Sequence, residues 1–316
     1  MPLPALQERL HFLLANAIEK STKLGYSTGA RSYINFCAAH NLPIDPTPST
    51  LALYIAYTSL HHGSGPKYLT GARHFLKSSF PDFDTNRAHP SVQAAIRGSK
   101  KVRADPVTRK LPLRTSHLST FLDTARATGS YDDLLFITIV SCCFYGCHRS
   151  GELVQSNDKR LRDPRKTIRR SSLIFSDGRA QYRLPYHKAD PFYRGSDVAF
   201  IKQEIADPVA LLKEYSARRD ALHDALPYLF LREDGSPPDR TWFDLKFFAV
   251  VDRRYYGGHS LRAGGATFFA GLGLPEDIIM ALGRWSSQAW RIYVRENPAV
   301  RAELILASMA SQHHPT

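Results

Sequence analysis

The sequence predicts a mainly α-helical fold of the α+β class, in which a helical N-terminal domain precedes a larger helical domain with a small antiparallel sheet. Apolar residues recur at three- and four-residue spacing through most of the chain, as on the buried face of a helix. Short strand-like runs replace this period between residues 171 and 200. With 316 residues, the chain can bury a separate core in each domain. We therefore predict one domain over residues 1–110 and a second over residues 111–316.

The N-terminal domain is predicted to be a bundle of four or five helices. Its helical period is clearest in Ala30–Cys37, Leu51–Leu60 and Tyr68–Phe80. Turn-forming stretches rich in proline and glycine, such as His62–Pro66, separate these segments.

A basic segment over residues 97–114 is predicted to link the two domains. It contains Pro106 and Pro112, which do not continue a helix, and a dense set of cations that packs poorly. We expect these cations to contact DNA, although a solvated loop without a special role would have the same composition. The cations are Lys100, Lys101, Arg103, Arg109 and Lys110.

The second domain is predicted to begin near Leu113, with Ser116 as the N-cap of its first helix. An apolar helix, Leu134–Tyr145, then leads to Arg149. Three short strands follow, at Ser171–Phe175, Gln181–Pro185 and Asp197–Phe200. The predicted helices after the strands are Pro208–Asp220 with Asp207 as its N-cap, Trp242–Val251, Leu261–Ala270, Pro275–Leu282 and Ser287–Tyr293.

The net charge of +13 indicates a polyanionic partner, because cations that neutralise nucleic acid phosphates release condensed counterions. Residues 1–110 hold 14 Lys/Arg against 6 Asp/Glu, whereas residues 111–316 hold 28 against 23. The N-terminal third is therefore the more basic part per residue. A basic surface can also serve solubility alone, so charge suggests the partner without revealing the chemistry.

The composition is typical of an intracellular protein without a membrane span. No apolar run reaches the length that a bilayer requires, and the N-terminus lacks the pattern of a secretory signal. Cys142, Cys143 and Cys147 crowd into one apolar segment, which favours buried reduced thiols over disulfides. A zinc site including His148 is the alternative, but no second Cys/His pair with zinc spacing accompanies these residues.

Five ionisable residues occur in an order suited to metal-free attack on a DNA phosphodiester. Such a reaction needs a nucleophile, cations for the non-bridging oxygens and an acid for the leaving oxygen. A tyrosine can be the nucleophile, and the rigid fork of arginine holds phosphate oxygens better than lysine does. In chain order the five residues are Arg149, Lys188, His259, Arg262 and Tyr293.

Each of these residues, taken singly, also has an ordinary structural explanation. His259 and Arg262 share one helix face, as any two residues three apart do. Glu152 follows Arg149 by about one helical turn, so it can orient the arginine or form a plain surface ion pair. Lys188 alone would be a surface lysine and Tyr293 alone a packing residue. The ordered set is the informative signal.

With these residues in this order, the sequence resembles the tyrosine recombinase (phage integrase) family over most of its length. Gly146–Leu153 matches the first arginine motif of the family, and Lys188 falls at its hairpin lysine. His259–Arg262 matches the H-x-x-R box. Ala281–Trp285, continuing to Tyr293, is similar to the box that ends in the nucleophile.

The N-terminal part and the last box add detail to the resemblance. Ser21–Cys37 is similar to the start of the core-binding domain, and recombinases of eukaryotic mobile elements, Crypton-like ones among them, are similar in character. Where the family carries His or Trp after the glycine of the last box, this chain has Arg284 followed by Trp285. Either residue can take over the missing role, Arg284 as a phosphate donor or Trp285 as a buttress for Tyr293.

The resemblance implies that the protein breaks and rejoins DNA without metal or ATP. Tyr293 would attack the phosphate to form a 3′-phosphotyrosyl link, and Lys188 would protonate the 5′ oxygen. The pentacovalent state would be stabilised by Arg149, His259 and Arg262. It also implies a core-binding role for residues 1–110, a catalytic role for residues 111–316, and a homotetramer on double-stranded DNA in which residues 294–316 dock on a neighbouring subunit.

Other functions compete with this prediction. A type IB topoisomerase has the same chemistry but relaxes one duplex as a monomer, and a recombinase-derived DNA-binding protein has lost catalysis. A metal-dependent nuclease is disfavoured because the sequence has no carboxylate cluster suited to Mg²⁺. In a eukaryotic host we expect the protein in the nucleus, where Lys159–Arg170 would be an import signal, a phosphate contact or a solvated stretch.

Overall fold

The computed structural model of the chain describes residues 1–103, 109–190 and 192–291. The chain forms two compact units, Met1–Thr108 and Arg109–Thr316. Helices dominate both units, and the second contains a three-stranded antiparallel sheet. The mainly α-helical fold with a small sheet that the sequence predicts is confirmed. Within the described ranges, no helix is long and apolar enough to cross a membrane.

The N-terminal unit is a helical bundle around one hydrophobic core. Helices α2 to α6 all contribute buried side chains to this core, whereas helix α1 has none. Thr47 begins α3 by accepting a hydrogen bond from the Thr50 backbone N–H, which satisfies one of the unpaired donors of the first turn. The helices are α1 (Leu3–Ala15), α2 (Lys20–Ala39), α3 (Pro48–His61), α4 (Gly65–Leu76), α5 (Phe83–Ala88) and α6 (Pro90–Arg103).

Helix α6 corrects the predicted start of the basic linker. The prediction of irregular structure is wrong for residues 97–103, which form the last two turns of this helix. Val92 and Ile96 are buried and anchor the helix, while Lys100 and Lys101 project into solvent. Cations in a last turn also interact favourably with the negative end of the helix dipole. The half-buried Arg103 donates from Nη1 to a carbonyl of α3 (3.0 Å).

The other two predicted linker cations lie at the start of the second unit. Arg109 and Lys110 are exposed. Lys110 donates from Nζ to the carbonyls of Arg253 (2.7 Å) and Arg254 (2.9 Å), so this end of the segment is attached to its own unit. Residues 104–108 lie outside the described residues.

A buried central helix, α8, organises the second unit. All its residues from Leu134 onward are buried, and α7, α10 and α12 pack around it. The helices of the unit are α7 (Thr115–Thr128), α8 (Tyr131–Tyr145), α9 (Ser150–Leu153), α10 (Pro208–His223), α11 (Arg240–Phe248), α12 (Gly258–Gly271) and α13 (Glu276–Gly283).

The helix starts test the predicted caps. Asp207 is confirmed as the N-cap of α10, because its side chain accepts from the Val209 backbone N–H. Ser116 as an N-cap is wrong, since α7 begins at Thr115 after Arg114. The ring nitrogen Nδ1 of His117 accepts from the Arg114 backbone N–H (3.1 Å) and takes over the capping role.

The small sheet has strand order β1-β2-β3, with β1 (Ile174–Ser176), β2 (Arg179–Leu184) and β3 (Ser196–Ile201). Ala180, Tyr182 and Leu184 face the core, and the alternate residues of β2 face solvent. The first strand starts later than predicted because Arg170–Ser172 forms a 3₁₀ turn. The four cysteines are buried free thiols, as the sequence predicts.

Candidate active site

Arg149 lies where the chain leaves the central helix. Helix α8 ends at Tyr145, and Cys147 adopts the left-handed region (φ +46°), which redirects the chain. Arg149 then precedes the short helix α9 as its N-cap. Its side chain is 30% exposed and donates from Nη1 to Oε1 of Glu152 (3.0 Å). The guanidinium is therefore held by a carboxylate on one side while solvent reaches it on another.

Two glycines let α12 pack directly on the end of α8. A Cβ on Gly265 would lie 2.0 Å from the carbonyl oxygen of Phe144, and one on Gly264 would lie 2.5 Å from that of Leu113. Such distances are far below normal contact, so these positions accept only glycine without a backbone shift. The close approach places Arg262 of α12 directly beneath the turn that carries Arg149.

Arg262 is fully enclosed. Its Nη1 and Nη2 atoms donate to the carbonyls of Cys147 and Gly283, and the ring of Trp285 lies 4.1 Å from its Cζ atom. The side chain is 0% exposed. Burial and the nearby charge of Arg149 lower its pKa to about 10. In the described part of the chain, Nε of Arg262 has no hydrogen-bond partner.

His259 is the point at which the predicted residues converge. It lies in the first turn of α12, and solvent reaches its ring. Its pKa is lowered by partial burial and by the positive charges of Arg149, Arg262, Arg240 and Lys188. These cations come from four separate segments of the chain, so the fold brings them within electrostatic reach of one imidazole.

Lys188 projects into solvent from the connection between β2 and β3. Around it, the Asp190 backbone N–H donates to the His187 carbonyl (2.8 Å), and Nε2 of His187 contacts the Ser196 hydroxyl (3.1 Å). The pKa of the buried His187 is lowered by burial and by positive charges that include Arg149. Hydrogen bonds thus hold His187, the neighbour of Lys188, and the charge of Arg149 reaches His187.

Aromatic rings brace this turn against the basic segment that follows α9. The rings of Tyr186 and Tyr193 lie 5.0 Å apart. Nζ of Lys166 lies 3.9 Å from the ring centre of Tyr186, and Cζ of Arg165 lies 4.7 Å from that of Tyr193. Cations over aromatic faces attract the ring quadrupole, so part of the Lys159–Arg170 stretch supports the fold.

Solved structures of similar fold are recombinases and integrases. The Tn1549 transposon integrase in complex with circular intermediate DNA superposes with a TM-score of 0.56 at 14% identity, over 94% of each chain. A lambda integrase dimer bound to a COC′ core site gives 0.52 at 15% identity, over 94% of this chain and 97% of that one. The XerH site-specific recombinase bound to palindromic difH substrate gives 0.52 at 13% identity, over 83% and 71% respectively.

The chain has the tyrosine recombinase fold. No protein-family model matches the sequence, and no curated protein matches it either. The fold is therefore recognised from structure together with the order of the candidate residues, at a level of identity where overall sequence similarity is weak.

Within this recombinase fold, two predicted residues face inward. Glu152 is 7% exposed and accepts from the side chains of Arg149 (3.0 Å) and Arg284 (3.2 Å). Arg284 is 8% exposed and has left-handed backbone geometry (φ +54°) after α13. Trp285 packs on Gly283, where a Cβ would overlap its ring at 1.6 Å. Glu152 is thus a buried partner, and the plain surface ion pair considered from the sequence is wrong.

Tyr293 and the tail 294–316 lie outside the described residues, so their predicted roles stay predictions. The recombinase fold also reveals residues that the sequence pattern missed. Arg240 donates from Nη1 to the Ser150 hydroxyl (2.7 Å) and contributes charge at His259. One arginine among 42 lysines and arginines gives no signal in the sequence.

From the sequence, His148 is a possible zinc ligand and a member of the first arginine motif. Both its ring nitrogens are engaged, Nδ1 with Glu152 (3.0 Å) and Nε2 with the Tyr182 hydroxyl (2.8 Å). In the described residues, no group of three or more His, Cys, Asp or Glu is placed to hold a metal ion. The position of His148 next to Arg149, at the end of an apolar segment, is the sequence feature that indicates a role in supporting Arg149.

Proposed function

We propose that the protein is a site-specific DNA recombinase or integrase that breaks and rejoins DNA through a 3′-phosphotyrosyl intermediate, without metal or ATP. The observation that carries this proposal is the convergence of Arg149, Lys188 and Arg262 on His259. Cations from separate segments seldom gather around one imidazole unless an anion binds there, because they repel one another.

The chemistry follows from the state of each group. Arg149 can offer its exposed N–H groups to a non-bridging phosphate oxygen, where negative charge develops. His259 has a lowered pKa and is neutral near pH 7, so it can hydrogen-bond the phosphate without adding charge. Lys188, exposed on its braced turn, can protonate the leaving 5′ oxygen. Tyr293 is the proposed nucleophile.

A second candidate function is a DNA-binding protein that has lost catalysis. The enclosure of Arg262 favours it, since both terminal nitrogens are bonded to carbonyls and Trp285 covers the guanidinium. Catalysis would require Trp285 to move away when DNA binds. The charge distribution would serve a non-catalytic binding protein equally well.

Double-stranded DNA is the proposed partner, with a homotetramer on two DNA segments as the proposed assembly. The net charge of +13 and the DNA-bound state of the similar solved structures support the choice of partner. We also propose an intracellular location, in the nucleus if the host is eukaryotic.

Covalent capture tests the proposal. The wild type and Tyr293→Phe would be expressed in cells, denatured rapidly, and the DNA that remains attached sequenced. Tyr255→Phe is the matched control, because Tyr255 is an exposed tyrosine of the same unit. We expect adducts at discrete sites in the wild type and the control, and none in Tyr293→Phe.

The same experiment separates the competing functions. DNA binding without adducts in the wild type would reject catalysis and favour the inactive binding protein. Adducts without site preference, accompanied by relaxation of supercoiled plasmid and no exchange between two duplexes, would instead indicate activity of the type IB topoisomerase kind.

A further inference from the structure

Both terminal nitrogens of Arg284 are hydrogen-bonded inside the protein. Nη1 donates to the carbonyls of Gly146 (3.2 Å) and Leu282 (3.1 Å). Nη2 donates to the carbonyl of Cys147 (3.3 Å) and to Oε2 of Glu152 (3.2 Å). These four acceptors match the four terminal N–H bonds of a guanidinium, and Nε is buried without a hydrogen-bond partner among the described residues. In this arrangement the side chain has no N–H group that is both unpaired and exposed, so it offers none to a phosphate.

His148 extends the contacts of Arg284 into a buried chain of polar groups. A neutral imidazole has one donor and one acceptor nitrogen. Nδ1 of His148 lies 3.0 Å from Oε2 of Glu152 and 3.2 Å from Nη2 of Arg284. Because an ionised Glu152 can only accept and Oε2 is the nearer of the two atoms, we assign the proton to Nδ1, which donates to Oε2. Nε2 then accepts from the Tyr182 hydroxyl (2.8 Å). His148 and Tyr182 are fully buried, so this direction of hydrogen bonding is not exchanged with water.

Both oxygens of Glu152 are tied to Arg149. Oε1 accepts from Nη1 of Arg149 (3.0 Å), and Oε2 accepts from its backbone N–H (3.2 Å). The groups that hold the carboxylate from the interior are His148 and Arg284. A shift of the carboxylate would therefore move the guanidinium that is proposed to hold the phosphate.

We propose that Arg284, His148 and Tyr182 are positioning residues, which fix Arg149 through the buried carboxylate of Glu152, and that Arg284 does not contact the scissile phosphate. This inference rests on the proposed function for its catalytic consequence, while its structural part stands without it. It assigns the arginine in the last box a role directed inward, and it adds two residues to the site.

The electrostatics agree with this arrangement. The pKa of His148 is lowered to about 4, by burial first and then by the charge of Arg284. Burial works against ionisation of Glu152, but the hydrogen bond from His148 and the charges of Arg284 and Arg262 hold its pKa well below the usual range. We take His148 as neutral and Glu152 as ionised at pH 7, because a buried carboxylate beside two arginines remains charged.

Titration of His148 tests the structural part without DNA. The ring would be followed by NMR in labelled protein between pH 3.5 and 9 and assigned by comparison with His148→Gln. We expect it to stay neutral above about pH 5 in the wild type. In Arg284→Gln the adjacent cation is gone while Glu152 remains, so the pKa should rise by at least about one unit; Arg284→Lys should return it towards the wild-type value.

Three further groups act on this titration. Glu152 raises the pKa of His148, Arg262 lowers it, and the Tyr182 hydroxyl stabilises the neutral ring. Tyr182→Phe keeps the aromatic ring of residue 182 and removes its hydrogen bond to His148, so we expect the pKa of His148 to rise in this milder variant too. If Arg284→Gln does not fold, Tyr182→Phe is the variant that tests the proposed network. An unchanged pKa in the folded variants would overturn the proposed network.

A double-mutant cycle tests the catalytic part. Single-turnover adduct formation would be measured on the duplex recovered from the wild-type adducts, for Glu152→Gln, Arg284→Gln and the double variant. If both act through Arg149, the double variant should lose no more than the worse single variant, roughly 10²-fold. Independent losses that multiply would mean that Arg284 contacts the phosphate directly and would overturn the proposal.

Two controls distinguish failure of the positioning proposal from failure of the proposed function. Arg183→Gln changes an arginine that is half exposed and pairs with Asp197 on the open face of the sheet, and it should leave the rate unchanged. Affinity for an unrelated duplex should be the same in all variants, since a positioning residue alters the rate and not general binding. If the wild type forms no adducts, the proposed function fails while the His148 titration still decides the positioning network.

Discussion

Replacing Glu152 by glutamine is expected to destabilise the second unit by about 3 kcal/mol. The carboxylate is 7% exposed, and loss of its charge leaves Arg284, 8% exposed, without its counter-ion. Leaving one member of a buried ion pair unpaired costs about 3–5 kcal/mol, and glutamine keeps one acceptor oxygen, so we take the lower end. In a unit of this size, about 2–4 °C of Tm is lost per kcal/mol, which gives a drop of about 6–12 °C.

Thermal and urea unfolding at pH 7 would measure this loss, with Glu214→Gln as the matched control. Glu214 is 31% exposed and pairs with Arg126 and Arg218, so its loss should cost less than about 1 kcal/mol. Because the pKa of Glu152 is depressed by folding, its contribution is present above about pH 4.3 and disappears as the pH falls towards the lower folded value. Wild type and variant should therefore converge in acid. A Tm loss no larger than that of the control would show that the buried carboxylate of Glu152 does not stabilise the unit.

Three other predictions concern packing, pH and chemistry. Gly265→Ala should lower the free energy of unfolding in urea by about 1–3 kcal/mol, because its Cβ would meet the Phe144 carbonyl at 2.0 Å. Gly151→Ala is the control and should cost under about 0.5 kcal/mol, because the space around Gly151 is open. Similar losses in the two variants would contradict the close packing of α12 on α8. Because folding lowers the pKa of His148, the protein loses stability as the pH falls from about 6.5 to about 4. His148→Gln should therefore flatten the plot of stability against pH in this range. An unchanged slope would argue against a neutral buried ring. Lys188→Ala should leave Tm within about 1 °C, since the side chain is exposed, but reduce adduct formation at least about 10-fold; an unchanged rate would remove Lys188 from the chemistry.

The helices and strands of the second unit were predicted well where their signals are local. Asp207 caps α10 through the Val209 N–H two residues away, and an interaction of that range can be identified in the sequence. The start of α7 could not be identified this way. The helix is capped by His117, which is not one of the usual capping residue types. Its start is also held by a hydrogen bond from the Leu113 N–H to the carbonyl of Ser260, which is distant in sequence.

The start of the basic linker was predicted wrongly because the charged composition was given more weight than the apolar spacing. The density of Lys and Arg over residues 97–103 suggested irregular structure. Val92 and Ile96 are four residues apart and bury one face of α6, so the helix continues through its charged last turn. The apolar period should have outweighed the charge, because cations at a helix C-terminus are favourable.

The exposure of the candidate residues could not be predicted from the sequence. Order along the chain predicts Arg149, Lys188, His259 and Arg262 as site residues, and in the structure the charges of the three cations act on His259. Their catalytic roles stay predictions. The enclosure of Arg262 was not predictable. It follows from the close docking of α12 on α8, which depends on the shape of the packed helices.

The tautomer of His148 was also beyond the sequence. It requires knowledge of which groups face each ring nitrogen, and these come from β2 and α9. The same holds for Arg284, whose acceptors are largely backbone carbonyls that no side-chain motif encodes.

We propose that Arg149, Lys188, His259 and Arg262 serve a DNA strand-breaking reaction at Tyr293. The most direct measurement is mass spectrometry of the covalent adducts after nuclease and protease digestion, to find which residue carries the nucleotide. We expect a nucleotide linked through its 3′ phosphate to the peptide that contains Tyr293, together with loss of all adducts in Arg149→Gln. A nucleotide on another residue, or adducts that persist without Arg149, would contradict it.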